Sequence, residues 1–158
     1  AWGDGPHPAD RPALLADVAG FYRAFGLEAS GAEPDSEDHL VAEAEFMSAL
    51  AIKEAWALAE GLTDAASIVR EAQRAFLRDH LGRWAGAFAE TLVRTTPLAY
   101  YAAAAALLSA WVDAEAAALG AEPARVTARA PVDPVGGADV FGCPAAACPE
   151  PVSDVADG

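Results

Sequence analysis

The chain has 158 residues, a formal net charge of −14 at pH 7 and 54% hydrophobic residues. This length suits one domain and is too short for two of ordinary size. The acidity argues against nucleic acid as a partner, because a phosphate backbone requires clustered Lys and Arg. Helix-forming Ala, Leu, Glu and Arg dominate, and no run alternates with period two, so we predict an all-α fold, a compact bundle of about five helices. The large side chains expected in its core are Trp56, Trp84, Trp111, Phe46, Phe76 and Phe88.

Residues 1–10 are rich in Gly and Pro, and we predict a flexible lead-in there. They lack the basic and apolar regions of a signal peptide, so we expect a cytoplasmic protein. Asp10 is expected to cap the first helix, with Pro12 in its first turn, and Gly26 is expected to end it. Apolar residues follow this helix at spacings of three and four: Leu14, Val18, Phe21, Tyr22 and Phe25.

The second predicted helix runs from about Glu37 to Glu60 and stops at Gly61, after an acidic loop over residues 27–36. Asp38 in its first turn would favour the helix dipole and cap free N–H groups.

Polar residues interrupt the apolar turns at the head of this second helix. On a helical wheel His39 falls beside Phe46, and Glu43 lies on the face of Leu40 and Met47. A carboxylate on that face must be hydrogen-bonded, paired or open to a groove, since burying it alone is prohibitive. We therefore predict a cleft with an apolar floor and an acidic rim, which suits a peptide carrying apolar residues and positive charge.

The third helix is expected to be capped by Thr63 or Asp64. An apolar stripe then continues beyond His80, and Gly82 within it predicts a kink or a break between two helices. The stripe consists of Leu77, Leu81, Trp84, Phe88 and Leu92.

Thr96 and Pro97 are expected to open the last helix, which reaches about Leu119 and ends at Gly120. It is apolar nearly all round, which predicts a core helix packed by neighbours on every side. Its longest uncharged run is mostly alanine, which inserts poorly into membranes, so we expect no membrane span.

Residues 121–158 hold six of the eleven prolines and show little periodicity. We predict that they form a Pro/Ala-rich acidic tail outside a helical domain of residues 11–120. Cys143 and Cys148 lie in this tail, and two thiolates alone cannot fill a tetrahedral zinc site. A small-loop disulfide and a metal shared with another chain both stay open, while the cytoplasm favours free thiols.

The sequence contains no HExxH, GxSxG, GxGxxG or GxxxxGKS/T motif. We therefore predict a protein that is not an enzyme and has no metal or cofactor of its own. One alternative is a metal- or nucleotide-binding helical protein that uses His39, Glu43 and His80, although an HxxxE spacing is common. Another is a structural accessory subunit of a redox complex.

Two ordered motifs and a final helix resemble the TorD-like family of molybdoenzyme maturation chaperones, also known as the nitrate reductase delta subunit family. The segments are EPDSEDHLVAEAEFM (residues 33–47), AFLRDHLGRWAGAF (75–88) and YYAAAAALLSAWVDAE (100–115). The family pattern is an EPxDHLxxELxFM-like segment, then FLxxHLxxW, then a long helix with an aromatic start. The residues that match the two motifs are Glu33, Pro34, Asp38, His39, Leu40, Glu43, Phe46 and Met47, and then Phe76, Leu77, His80, Leu81 and Trp84.

The resemblance covers roughly residues 15–119 and implies a non-catalytic, all-helical chaperone. Such a protein binds the apo form of a molybdopterin-containing oxidoreductase, through its twin-arginine signal peptide or N-terminal segment, until the cofactor is inserted. We expect residues 11–120 to form this domain without the family's first helices. Exchange of helices between two copies would give a homodimer that covers the incomplete bundle.

The head of the second helix is the peptide-binding region that the resemblance implies. Asp38 and Glu43 are expected to be counter-charges for arginine, and His39 a hydrogen-bonding group. His80 and Trp84 are expected to border the same groove. The full predicted set is Asp38, His39, Leu40, Glu43, Phe46, Met47, His80 and Trp84.

Overall fold

The computed structural model describes residues 11–28 and 37–128, and within these ranges it contains five α-helices and no strand. This confirms the predicted all-α fold. The helices are α1 (Arg11–Ala24), α2 (Leu40–Ala59), α3 (Thr63–Asp79), α4 (Leu81–Thr95) and α5 (Ala99–Leu119).

Three helices end at glycine, as the sequence predicts. Gly26, Gly61 and Gly120 follow α1, α2 and α5 with φ angles of 73°, 71° and 67°. This left-handed conformation lets the chain turn out of a helix while its last carbonyls still accept hydrogen bonds. After α1, for example, the N–H of Leu27 donates to the carbonyl of Tyr22 at 2.9 Å.

The predicted helix starts are wrong at three places. Helix α2 begins at Leu40, three residues after the predicted Glu37, and its cap is His39 rather than Asp38. His39 has extended backbone angles, and its Nδ1 accepts a hydrogen bond from the N–H of Val41 at 3.3 Å. An imidazole nitrogen thus takes the capping position that the sequence favoured for the acid.

Helix α3 has Leu62 as its cap residue, with no side-chain cap hydrogen bond, because Thr63 and Asp64 already lie inside the first turn. Helix α5 begins at Ala99, after Thr96 and Pro97, with the hydroxyl oxygen of Thr96 accepting from the N–H of Leu98 at 3.2 Å. At all three helix starts, the polar residue that the sequence predicted as the cap lies one or two positions away from the actual cap residue.

A break separates α3 from α4, and it falls at His80, two residues before Gly82. His80 has φ −127° and ψ −102°, outside the helical region. Gly82 is buried against the end of α3, where an added Cβ would overlap the carbonyl oxygen of Leu77 and lie 3.2 Å from the Cβ of Pro123. Glycine therefore permits the close approach of the two helices at this junction.

The core is built around a cluster of aromatic rings from α1, α2 and α3. The ring centroids of Phe46 and Phe76 are 4.7 Å apart, and those of Tyr22 and Phe46 are 4.9 Å apart. Phe21 meets Phe76 edge to face at 5.4 Å. This cluster holds α1 against the remaining helices. Trp56 was expected in the core, but its side chain faces solvent and is 60% exposed.

Helix α5 is not the buried central helix that its composition predicts. It packs against α3 and α4, and its buried residues are Ala105, Val112 and Ala116. Tyr100 and Leu107 are 77% and 70% exposed. The many alanines make the helix apolar by count, yet each methyl group is small enough to remain at the surface at little cost.

By length and composition, α5 is the one helix in the described ranges that could cross a membrane, and 22% of its most apolar window is buried. A single such helix is a weak indication, because core helices of other proteins meet the same criterion.

The first part of the predicted tail packs on the bundle. Ala121 is buried, the N–H of Val126 donates to the carbonyl of Arg83 at 2.8 Å, and Arg125 pairs with Asp113 at 2.7 Å. Residues 121–128 therefore run over α4 and α5. The predictions for the lead-in, the 29–36 segment and residues 129–158 lie outside the described residues, and so do those for Asp10, Glu33, Pro34, Cys143 and Cys148.

Candidate functional site

The start of α2 presents a polar surface with apolar residues beside it. Asp38 is partly exposed, and its Oδ2 lies 3.5 Å from Nη2 of Arg11 on α1. His39 is exposed, Leu40 is half-buried and Val41 is 55% exposed. We call Asp38, His39, Leu40 and Val41 the α2 entry surface. It combines an acid that already contacts a guanidinium with one exposed and one half-buried aliphatic side chain.

Glu43 lies beneath this surface and is buried rather than open to a groove. The residue is 1% exposed, and its Oε2 accepts a hydrogen bond from Nε1 of Trp84 at 3.2 Å. Burial raises the pKa of this carboxyl to about 8, although the Trp84 hydrogen bond acts in the opposite direction. At pH 7 the carboxyl is therefore mostly protonated, and it joins α2 to α4 as a neutral group.

Tyr22 connects the same region to α1. Its hydroxyl donates a hydrogen bond to the backbone carbonyl of Glu37 at 2.8 Å, which fixes the chain just before α2. Burial raises the pKa of Tyr22 far above its ordinary value, and the negative charges of Glu43, Glu37 and Asp38 raise it further. Acidic groups thus converge on this end of α2. Because Glu43 is mostly protonated at pH 7, the carboxylates of Glu37 and Asp38 are the ones that favour a cationic ligand there.

His80 is buried at the α3–α4 break, on another side of α1. Its Nε2 lies 3.0 Å from Oδ2 of Asp17, whose side chain is 64% exposed. The ring packs against Phe21 and Phe76, with centroids 5.4 and 5.0 Å away. Burial lowers the pKa of His80, and the nearby Asp17 carboxylate partly counters this shift. The imidazole is therefore neutral at pH 7.

The predicted site residues divide into a surface and a support. Phe46 and Met47 are each 2% exposed and belong to the core, so they hold the α2 entry surface from below. Trp84 is half-buried and reaches Glu43, while His80 faces Asp17. His39 does not lie beside Phe46 as the helical wheel suggested, because it stands outside the helix as its cap.

The alternative metal site is not assembled. His39 caps α2, Glu43 is bonded to Trp84, and His80 faces Asp17. Across residues 11–28 and 37–128, no group of three His, Cys, Asp or Glu side chains is arranged to hold a metal ion. The geometry therefore gives no support to a metal-binding role for this trio.

Sequence reasoning missed Arg11, Asp17 and Tyr22. Each lies on α1 and meets its partner through a long-range contact: Asp38, His80 and Glu37 respectively. Periodicity identified Tyr22 as a core residue, but no local pattern indicates which polar group on another helix it meets.

The family model for the nitrate reductase delta subunit matches residues 8–90, which is more than half of the chain. This chain belongs to the nitrate reductase delta subunit family. The match confirms the resemblance found in the sequence motifs, and it includes every residue of the predicted site.

Two curated relatives are similar to this family member. This chain is 43% identical to the perchlorate reductase assembly chaperone protein of Dechloromonas aromatica (strain RCB) over 76 residues. These residues are 48% of this chain and 33% of the relative. It is 32% identical to the chlorate reductase assembly chaperone protein of Ideonella dechloratans over 113 residues, 72% of this chain and 56% of the relative. The chain thus spans between a third and just over half of these relatives. No solved structure matches it.

Proposed function

We propose that this protein is a non-catalytic assembly chaperone for a molybdopterin-containing oxidoreductase. Its family membership and two relatives named as reductase assembly chaperones support this role. As a chaperone it acts in the cytoplasm, before the client is exported, and carries no cofactor of its own. A homodimer formed by helix exchange belongs to the same proposal.

The client segment is a twin-arginine signal peptide or the N-terminal peptide of the catalytic subunit. The observation that carries this proposal is the contact between Asp38 and Arg11, since this acid accepts a guanidinium at the rim of an aromatic core. Exposed Val41 and half-buried Leu40 next to it offer apolar contact, and exposed His39 has a second ring nitrogen for hydrogen bonding. Glu43, Phe46, Met47 and Trp84 support this surface from within, while His80 faces Asp17 on another side of α1.

The chaperone role is tested by producing a candidate reductase subunit with and without this protein and measuring its molybdenum content. We expect higher molybdenum content with the chaperone, and expect it to co-purify with the apo subunit but not with the loaded one. Equal molybdenum content in both preparations would contradict the role. If the protein co-purified equally with the apo and the loaded reductase subunit, it would instead be a structural accessory subunit.

Asp38→Asn is expected to weaken binding of a twin-arginine peptide about three- to tenfold, because a charge-assisted hydrogen bond to guanidinium becomes a neutral one. The melting temperature should change little, since the exposed pair with Arg11 contributes at most about 1 kcal/mol. Calorimetric titration and thermal unfolding measure the two effects. The charge-matched control is Asp64→Asn. Asp64 is an exposed acid in the first turn of α3. Equal loss of affinity in both variants would show that only net charge matters.

A further inference from the structure

His80 is a buried polar residue with almost no polar partners. It is 4% exposed, and its Nδ1 has no hydrogen-bond partner in the described part of the chain. Nε2 lies 3.0 Å from a carboxylate oxygen of Asp17, yet it too has no well-aligned hydrogen-bond partner in the described part of the chain. Burying an imidazole this way costs stability that an apolar side chain of similar size would not cost. Such a cost at one position is typical of a residue retained for function.

The residues packed around His80 hold its imidazole ring in place next to Asp17. Phe21 and Phe76 enclose the ring, and His80 also stands at the non-helical break between α3 and α4. A neutral imidazole has one N–H to donate, and a carboxylate oxygen of Asp17 lies 3.0 Å from Nε2. His80 therefore holds one oxygen of the Asp17 carboxylate from below.

Asp17 is open on its outer side. Its side chain is 64% exposed, and its helix neighbours Ala13 and Gly20 are exposed and small. Phe21, one turn further along α1, is half-buried, and its ring packs on the His80 imidazole that contacts this carboxylate. An oriented carboxylate next to an aromatic ring suits an arginine, whose guanidinium bonds carboxylates and stacks on rings.

We propose that Asp17 is a second carboxylate contact for the client peptide and that His80 is the residue that positions it. This inference rests on the proposed function. Asp17 lies six residues from Arg11, about 9 Å along α1 and about 120° around it, so Asp17 and Asp38 flank α1 on two sides. Successive side chains of an extended peptide point in opposite directions. A peptide laid across α1 therefore brings two adjacent arginines to the two carboxylates.

The test compares Asp17→Asn, Asp38→Asn and the Asp64→Asn control by calorimetric titration with a twin-arginine peptide at two salt concentrations. The amide oxygen of Asp17→Asn can keep the 3.0 Å contact with Nε2 of His80, so the melting temperature should stay near that of the wild type. We expect about three- to tenfold weaker binding and a shallower salt dependence. Wild-type affinity in Asp17→Asn, with a loss in Asp38→Asn, would overturn this inference alone. No binding by the wild type would overturn the proposed peptide binding together with it.

The positioning role of His80 is tested by two further substitutions. His80→Gln keeps an N–H donor near the position of Nε2, whereas His80→Leu removes it. We expect His80→Leu to lose as much affinity as Asp17→Asn, His80→Gln to retain most of it, and the double variant Asp17→Asn/His80→Leu to be no worse than either single one. Additive losses in the double variant would show that His80 does not act through Asp17.

Discussion

Gly82→Ala is expected to lower the free energy of unfolding by about 2–4 kcal/mol. The added methyl group would overlap the carbonyl oxygen of Leu77, a backbone atom that cannot rotate away, and would press on Pro123. Relief requires α3 and α4 to separate at the break that holds His80. Urea unfolding monitored by circular dichroism measures the loss. Because the substitution disturbs His80, peptide affinity should fall with stability.

Gly86→Ala is the matched control on the same helix. Gly86 has nothing within 4 Å of the position of an added Cβ, and it lies inside α4. Alanine there should raise the free energy of unfolding by about 0.5–1 kcal/mol, because glycine is the poorer helix former. Similar destabilisation by the two substitutions would contradict the close packing at the α3–α4 junction.

Glu43→Gln is expected to abolish a large pH dependence of stability. The wild-type carboxyl has an ordinary pKa of 4.5 when unfolded and a pKa of about 8 when folded. Below pH 4.5 it is protonated in both states. As pH rises from 4.5 to about 8 it ionises only in the unfolded chain, so stability falls across this window, by at most about 5 kcal/mol.

Glutamine is neutral at every pH, and its carbonyl oxygen can accept from Nε1 of Trp84 as the carboxyl does. The Glu43→Gln variant should therefore be more stable than the wild type at pH 8 by about 2–4 kcal/mol and equal to it near pH 4.5. Urea unfolding at several pH values measures this difference, with exposed Glu45→Gln as the charge-matched control. A Glu43→Gln variant that is less stable than the wild type at pH 8 would contradict a buried neutral carboxyl.

Glu43→Gln also separates two interpretations of the site. The sequence predicted Glu43 as a counter-charge, whereas the structure buries it and leaves it mostly protonated at pH 7. We expect Glu43→Gln to bind a twin-arginine peptide at pH 7 within about threefold of the wild type, since little charge is lost. A loss as large as that of Asp38→Asn would restore Glu43 as a counter-charge.

The helical fold was predictable because its determinants are local. Period 3.6 in the apolar residues and the glycines at positions 26, 61 and 120 are visible in a short window. The environment of α5 was not predictable in this way, because alanine forms helices equally well in a core and at a surface. The predicted first residues of the helices were wrong for a similar reason. His39, Asp38 and Glu37 are all plausible caps in the sequence, and tertiary contacts determine which of them caps α2.

The site was predictable only as a set of residue types. Motif spacing located the head of α2 and the His80–Trp84 segment, but burial decides the role of each residue. Glu43 is mostly protonated at pH 7 because it is enclosed, whereas Asp38 is partly exposed and lies 3.5 Å from the guanidinium of Arg11. Asp17 belongs to no motif, and its relation to His80 arises from a contact 63 residues apart in sequence.

Binding of a client peptide at the α2 entry surface is tested most directly by calorimetric titration with a synthetic twin-arginine signal peptide. The same titration is repeated with both arginines replaced by lysine and at raised salt. We expect saturable binding by the wild type that weakens with salt and with the change to lysine, because guanidinium bonds a carboxylate through a fork that ammonium lacks. Equal affinity for the two peptides, or no binding to peptides from several candidate clients, would contradict recognition of arginine by this surface.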